Sequence, residues 1–480
     1  MIVPKIIMTV IIVLLSGAGL LTAYLLYFLL TGILSFAIHP RKKPRPASTA
    51  KLNEEWQDKR KEDVPDKVKI IADFTDALSV RLELIRQARL SLDVTYFSIT
   101  NTESGMAFLS ELVEAADRGV KVRLLLDAKM KTLLHVTMRA LAQHPQIEVG
   151  LYNPVNPLKP WTLNEVMHDK FMIVDRKYAL LGGRNIEPSY FGLAEAPLSN
   201  KYDWDVLVRR DEDSPADKSI IDAIAAYNDL LWQKKSTRKV WRRLTTSRII
   251  EEIHAGGLKF SADHPEFYQK TLADFTRDMI RPDRIMLLHN PLNSWRKEPW
   301  LTQDLVKLAF HAEESLLIQT PYATASPPLL QLLSDAAAHV DVHYLTNSLA
   351  SAKNLPAYPN YYFQRKKFLK SGINIYEFQD SDSIHGKSFV LDDRISVVGS
   401  FNLDSRSIYL DTETMLVIDS PELTKSFTDY HHKINGRSLK LGADNKYIPS
   451  ETVAETPVLR GKRLTYFLSY LLLRPFQFFI

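Results

Sequence analysis

His385-Gly386-Lys387, then Asp392, then Gly399-Ser400-Phe401-Asn402: the chain carries this pattern twice. The earlier copy is His168-Asp169-Lys170, Asp175 and Gly182-Gly183-Arg184-Asn185. The histidine, lysine, aspartate, first glycine and asparagine recur at the same spacings, 217 residues apart. One His-x-Lys carries little information, and a lone buried histidine is ordinarily structural. Two on one template mark a duplicated site.

The spacing has a physical reading. Each His-x-Lys lies in an apolar run, Val166 to Val174 and Ile384 to Leu391, and such runs between turn residues read as buried strands. Side chains two apart on a strand share a face, so each motif would aim one imidazole and one ammonium at the same spot. Lysine offers donors and positive charge; imidazole can attack or move a proton near neutral pH. The closing asparagine adds amide donors, and the glycines let backbone approach closely. Two such sets facing each other form an anion cradle holding two histidines, which suits a phosphodiester cut in two steps. A metal site fits poorly: lysine is a poor ligand, there is no cysteine, and neither His-Glu-x-x-His nor His-x-His occurs. His431-His432 stand in a polar run that reads as a solvated helix.

These paired stretches resemble the HKD motifs of the phospholipase D superfamily. Gly182-Gly183-Arg184-Asn185-Ile186 with Tyr190-Phe191, and Gly399-Ser400-Phe401-Asn402-Leu403-Asp404 with Arg406-Ser407, are similar to the bacterial cardiolipin synthase branch. So is Leu345-Thr346-Asn347-Ser348-Leu349-Ala350. The resemblance covers residues 68 to 447, and it implies an α/β fold: two pseudo-twofold-related phospholipase D-type α/β/α lobes.

Working outward, the duplication extends beyond the motifs. Phe74 to Arg89 has helical spacing, Ser91 to Ser98 alternates as a strand, Ser104 to Arg118 is helical with Gly119 as its stop, and Val120 to Leu126 is a strand. In the second half the same order appears: Leu305 to Glu313, Ser315 to Thr320, a helix opened by Ser326-Pro327-Pro328, and Val340 to Leu345. Between the halves Ser214-Pro215 starts a long amphipathic helix through Leu231. Lys234, Lys235, Arg238, Lys239, Arg242 and Arg243 follow, either as a solvated face or as a contact for anionic headgroups.

Both ends point to a bilayer. Ile6 to Ile38 holds no charged residue and is long enough for one transmembrane helix, too short for two. It continues beyond Ser16-Gly17-Ala18-Gly19, so an uncleaved anchor fits better than a signal peptide. Arg41, Lys42, Lys43 and Arg45 outnumber Lys5 and place the catalytic part on the cytoplasmic side. Leu464 to Ile480 is rich in aromatic and apolar residues near Arg460, Lys462, Arg463 and Arg474, and reads as an interfacial segment or a packed tail. The 480 residues thus divide into an anchor (1–40), a linker (41–66), a first lobe (67–290), a second lobe (291–447) and a hydrophobic tail (448–480). The net charge of +5 permits an anionic partner without choosing one. No aromatic–basic interleaving points to nucleic acid.

What the resemblance implies is a single-pass protein of the bacterial cytoplasmic (inner) membrane, acting on phospholipids without metal or cofactor. A phosphatidyltransferase is expected, with a phospholipase D hydrolase or a phosphodiesterase or nuclease as the alternative on the same frame. His168, Lys170, Asp175, His385, Lys387 and Asp392 are the catalytic template. The residues alone do not distinguish the histidines; the family's usual order makes His168 the nucleophile and His385 the acid/base. Lys170, Lys387, Asn185 and Asn402 would hold the phosphate oxygens. Asp205 and Glu413, in matching places of the repeats, are the candidates for orienting the imidazoles, while Asp175 and Asp392, five residues beyond their lysines, read as structural members of the template.

Overall fold

Apolar runs four to seven residues long, closed by turn residues, become the strands, and the periodic segments between them become the helices. The computed structural model describes residues 2–37, 64–130, 132–194, 198–211, 218–241, 248–292 and 297–479. The first sheet is built from β1 (Asp66–Ile71), β2 (Ser91–Tyr96), β3 (Lys121–Asp127), β4 (Ile147–Tyr152), β5 (Lys170–Val174), β6 (Tyr178–Gly182), β8 (Asp205–Arg210) and β9 (Arg238–Lys239), with the short β7 (Lys201–Tyr202) apart from it. The second consists of β10 (Arg284–His289), β11 (Ser315–Gln319), β12 (Asp341–Asn347), β13 (Asn374–Phe378), β15 (Lys387–Leu391), β16 (Ile395–Gly399), β17 (Thr414–Asp419) and β18 (Ser438–Lys440); β14 (Ser383–Ile384) pairs with β7.

The strand orders are β1-β8-β6-β5-β2-β3-β4-β9 and β10-β17-β16-β15-β11-β12-β13-β18, equivalent position by position. In each, three parallel strands linked by helical crossovers meet an antiparallel hairpin that carries the motif. The repeat read from the motifs therefore covers the whole of both lobes. One boundary moves: β10, expected in the first lobe, pairs with β17 at the edge of the second sheet.

Three apolar cores stack in layers. The outer face of the first sheet buries Val94, Leu124 and Leu180 against the helices Phe74–Gln87 and Glu103–Asp117. The outer face of the second buries Ile318, Val342 and Val397 against Trp300–Phe310 and Pro327–Ala337. Between the sheets a shared core joins Phe171, Trp204 and Val206 to Val390, Val398, Leu416 and Phe427. The lobes thus meet through a hydrophobic interior, the contact expected of a permanent pairing.

Elsewhere the elements differ from expectation in instructive ways. The helix after β8 begins at Ile220, where the Ser219 side chain caps it, while Ser214 and Pro215 lie outside the described residues. Linker positions 41–63, with Arg41, Lys42, Lys43 and Arg45, also lie outside them, as do Arg242 and Arg243. A helix not foreseen, Arg248–Asp263, packs on Glu103–Asp117 so closely that a Cβ on Gly257 would stand 2.4 Å from Ser110 Cβ. His431 is buried at 4% exposure, on the inner face of the helix Pro421–Asn435, while His432 is exposed. Burial holds its imidazole down to about 4.

The N-terminal apolar run forms one helix, Ile2–Ala37. Its segment Val13–Thr31 is long and apolar enough to cross a bilayer and is not buried in the protein. At ~1.5 Å per residue it reaches about 29 Å, the thickness of a hydrocarbon core. The tail forms the helix Arg460–Leu473. One side docks: Tyr466 enters the second core and donates to the Ala352 carbonyl at 3.0 Å, and Lys462 donates to Ala350 and Ala352. The other side leaves Leu464, Leu468, Leu471 and Leu472 exposed.

Candidate active site

Each histidine stands just before its strand, not on it: β5 begins at Lys170 and β15 at Lys387. A crossing backbone pairing holds it instead. Met167 bridges Thr412 of the second half, and His168 N–H donates to the Thr412 carbonyl at 3.1 Å. Ile384 pairs with Tyr202 of the first half, and His385 N–H donates to the Tyr202 carbonyl at 2.7 Å. So the backbone of each lobe fixes the histidine of the other.

The residue after each accepting carbonyl is the acid that meets the ring. Glu413 places Oε1 3.0 Å and Oε2 3.1 Å from His168 Nδ1. Asp203 places Oδ2 2.6 Å from His385 Nδ1. Both carboxylates are fully buried. Glu413 also accepts from the hydroxyls of Ser400 and Ser407. Here the expectation for Asp205 is corrected. Its carboxylate is taken by two buried arginines, Arg81 at 2.8 and 3.0 Å and Arg184 at 2.9 Å, and it holds the Gly-Gly-Arg-Asn segment rather than a histidine. The registers show why: Gly182 faces Asp205 whereas Gly399 faces Met415, so Asp205 matches Met415 and Asp203 matches Glu413. The connections before the two acids differ in length, which hides the equivalence from a count along the chain. One signal was present in the second glycine of the first motif. A Cβ on Gly183 would lie 2.2 Å from Asp203 Oδ1, so glycine is what admits that carboxylate.

The lysines are as buried as the acids. Lys170 donates to the His168 carbonyl and lies 5.1 Å from the centre of the Phe97 ring, which also meets the His168 ring edge-on. Lys387 donates to the His385 carbonyl, with its ammonium within 3.1 Å of both ring nitrogens. Tyr190 packs edge-on against His385, its hydroxyl 3.3 Å from Nε2. Asn185 and Asn402 are buried, and each has an amide oxygen without a hydrogen-bond partner. Rotating either amide by half a turn would present free donors at the same place.

Asp175 and Asp392 stand elsewhere. Each sits in the turn after its strand with positive φ, 53° and 50°. Asp175 accepts the N–H groups of Arg89, Leu90 and Ser91, and Asp392 those of Glu313, Glu314 and Ser315. They tie the motif hairpin to the start of the neighbouring parallel strand, a structural place within the template. Among the described residues no group of three or more His, Asp or Glu is arranged to hold a metal ion.

The electrostatics follow from burial. Desolvation and then Lys170 and Lys387 hold the His168 imidazole well below its ordinary range. Desolvation and Lys387 do the same to His385, against the opposing pull of Asp203. Burial also brings Lys170 down to about 8 and Lys387 to about 7, each resisted by nearby carboxylates. The two acids part company. Burial pushes Glu413 up to about 7, against Lys170 and its two hydroxyl donors. Burial acts the same way on Asp203 but is outweighed by Lys387, His385 and Arg184, which hold it well below the usual carboxylate range. Such a cleft is short of negative charge: an entering phosphodiester would stabilise both ammonium groups and an imidazolium. Lysines and amides around paired histidines can receive a phosphoryl group, hold its oxygens and move one proton.

Comparison with known proteins gives the same picture. The sequence model of the family described as "Cardiolipin synthase, PLD-like domain" matches twice, over residues 82–213 and 305–434. Cardiolipin synthase C of Escherichia coli (strain K12) is 31% identical over 394 residues, covering 73% of this chain and 80% of that protein. Cardiolipin synthase 2 of Staphylococcus epidermidis (strain ATCC 12228 / FDA PCI 1200) is 24% identical over 352 residues, 71% of this chain and 62% of that one. Among solved structures, phosphatidylserine synthase of Haemophilus influenzae Rd KW20 superposes with a TM-score of 0.61 at 16% identity, covering 90% of this chain and 100% of that one, a likeness of fold.

Proposed function

Because the chain belongs to the cardiolipin synthase, phospholipase D-like family, we propose that it is a membrane-bound phosphatidyltransferase, acting at the bacterial inner membrane through a phosphohistidine. The observation that carries the proposal is the crossed pair of histidine–carboxylate contacts in one lysine-lined cleft.

Glu413 accepts a hydrogen bond from His168 Nδ1–H, which keeps the proton on Nδ1 and leaves Nε2 with a free lone pair. That nitrogen attacks phosphorus of the donor lipid. The bond from phosphorus to the headgroup oxygen breaks, and His385 gives that oxygen its proton. The phosphatidyl group now rests on His168. An acceptor hydroxyl then gives its proton to His385 while its oxygen bonds to phosphorus, and the N–P bond breaks to restore both rings. Lys170, Lys387, Asn185 and Asn402 hold the non-bridging oxygens, where negative charge grows.

The inequality of the acids supports this division of labour. A firmly ionised Asp203 favours an imidazolium at His385, the form a proton donor needs. A Glu413 that titrates near 7 favours it less, which suits a nucleophile that starts neutral. The apolar helix Ile2–Ala37 supports a lipid substrate reached from the bilayer.

The test uses rapid quenching with labelled phospholipid and with an activated phosphodiester. In His385→Ala the label should remain at residue 168, acid-labile and mappable by peptide mass spectrometry. In His168→Ala none should form. Label at residue 385 in His168→Ala, with none at residue 168 in His385→Ala, would reverse the roles. No turnover of any phospholipid, together with cleavage of DNA, would replace the lipid reading by the nuclease one.

A further inference from the structure

We infer that a second, non-catalytic site on the first lobe holds the headgroup of an anionic phospholipid beside the N-terminal helix; the inference rests on the membrane reading above. A recess of about 620 Å³ lies between the segment 153–159 and the end of the helix Ile220–Gln233. Lys159, Lys234, Lys235 and Arg238 line it, with Ser236, Asn153 and Asn156. No carboxylate is among its described lining residues. Lys234 is its most buried cation: the ammonium donates to Tyr152 Oη, sits 4.5 Å above that ring and approaches Glu165 at 3.7 Å. Lys159, Lys235 and Arg238 are exposed at its mouth. Ser236 Oγ is buried without a hydrogen-bond partner.

Four cations around one hollow could serve any phosphate. Two further observations favour a lipid. First, the recess is fastened to the apolar helix: Tyr27 Oη donates to the Leu158 carbonyl at 2.9 Å, and Tyr24 Oη to the Pro157 carbonyl at 3.3 Å. The uncharged run continues past Tyr27 to Ile38, but the protein body docked on Tyr24 and Tyr27 leaves the bilayer the turns of the helix that precede them. Tyrosines near the end of a span sit at the headgroup level, so the hollow's rim is held at that depth. Second, the rim is apolar where it meets the helix and bare to solvent: Leu158 is 80% exposed, Val155 59%, and Trp241, just beyond the basic strand Arg238–Lys239, 85%. Exposed apolar side chains next to lysines and arginines are the pattern of an interfacial surface, with acyl chains against the rim and phosphate among the cations.

The experiment places a photoreactive p-benzoylphenylalanine at Val155 in the full chain carrying His168→Ala, so that lipid is not consumed. The protein is reconstituted in phosphatidylcholine vesicles or in an equal mixture with phosphatidylglycerol, and captured lipid is identified by mass spectrometry. Phosphatidylglycerol should be captured well above its share. Lys235→Gln with Arg238→Gln should erase that preference, a change of up to roughly 30-fold for two surface cations. Equal capture of both lipids in the parent chain would overturn the inference. So would capture of no lipid by a chain that resists carbonate extraction, a preference abolished by inorganic phosphate, or stronger capture of an added oligonucleotide. A chain released by carbonate would instead bring down the membrane reading itself, and the lipid site with it.

Discussion

Asp203 and Asp205 are separated by one residue and both fully buried, yet neutralising them should have opposite consequences. Asp203 lies 2.6 Å from His385 Nδ1. In Asp203→Asn the amide can no longer stabilise an imidazolium and favours the wrong tautomer. General acid–base catalysis contributes roughly 10²–10⁴-fold, so kcat per folded molecule should fall by about that range. Asp205 instead neutralises Arg81 and Arg184, both 1% exposed or less. Asp205→Asn leaves two guanidinium groups buried against a neutral amide. Breaking a buried pair costs about 3–5 kcal/mol, and at ~2–4 °C per kcal/mol the melting temperature should drop roughly 6–20 °C. Activity per folded molecule should fall by less than about tenfold, since chemistry at the histidines remains intact. Phosphatidyl transfer and thermal unfolding, measured on both variants, read this directly. A stable and fully active Asp203→Asn, alongside a stable but dead Asp205→Asn, would refute the assignment.

Three further outcomes are expected. With Lys387 brought down to about 7 and Lys170 to about 8, both lose charge as pH rises, so binding of a non-reacting phosphodiester should weaken through pH ~7–8 rather than near the ordinary lysine value. His168, held below 6.5, is neutral above its lowered pKa, so the acid limb of kcat/KM should lie under 6.5; Lys387→Arg should carry phosphodiester binding to higher pH, and an unchanged pH dependence of binding would contradict the role of the lysine. Asp392→Ala removes the acceptor of three backbone N–H groups and should cost about 2–4 kcal/mol in chemical unfolding, while activity per folded molecule changes by less than about threefold. Tyr466→Ala should release the helix Arg460–Leu473 by about 2–4 kcal/mol, seen as faster hydrogen exchange confined to that helix and its seat near Ala352.

What could be read along the chain was whatever is local. The motif template, the order of strands and crossovers, and the long apolar helix all rest on short-range pattern, and they match the structure closely. The pairing of Asp203 with His385 rests on a contact between residues 182 positions apart. Two acids alternating on one face, Asp203 and Asp205, offered no local reason to prefer either. Likewise, the placement of each histidine ahead of its strand comes from a backbone pairing with the other lobe, which no window around His168 or His385 contains. Asp175 and Asp392 share the template's spacing because the hairpin needs them, and it was their distance beyond the lysines, not the recurrence itself, that separated them from the chemistry.

The exchange of acids across the two halves makes the site a conjunction. Neither half owns a complete dyad: the first has an imidazole and lends Asp203, and the second has an imidazole and lends Glu413. Separating the halves would uncouple both dyads in one event, so catalytic competence should appear during folding only at the final docking step, all at once. The two halves produced as separate chains should each be inert, and mixing them should restore turnover in proportion to the dimers they form. It also means that neither half could drift in sequence alone. A change at Asp203 is felt by the other half's histidine, which binds the fates of two copies that are otherwise free to diverge.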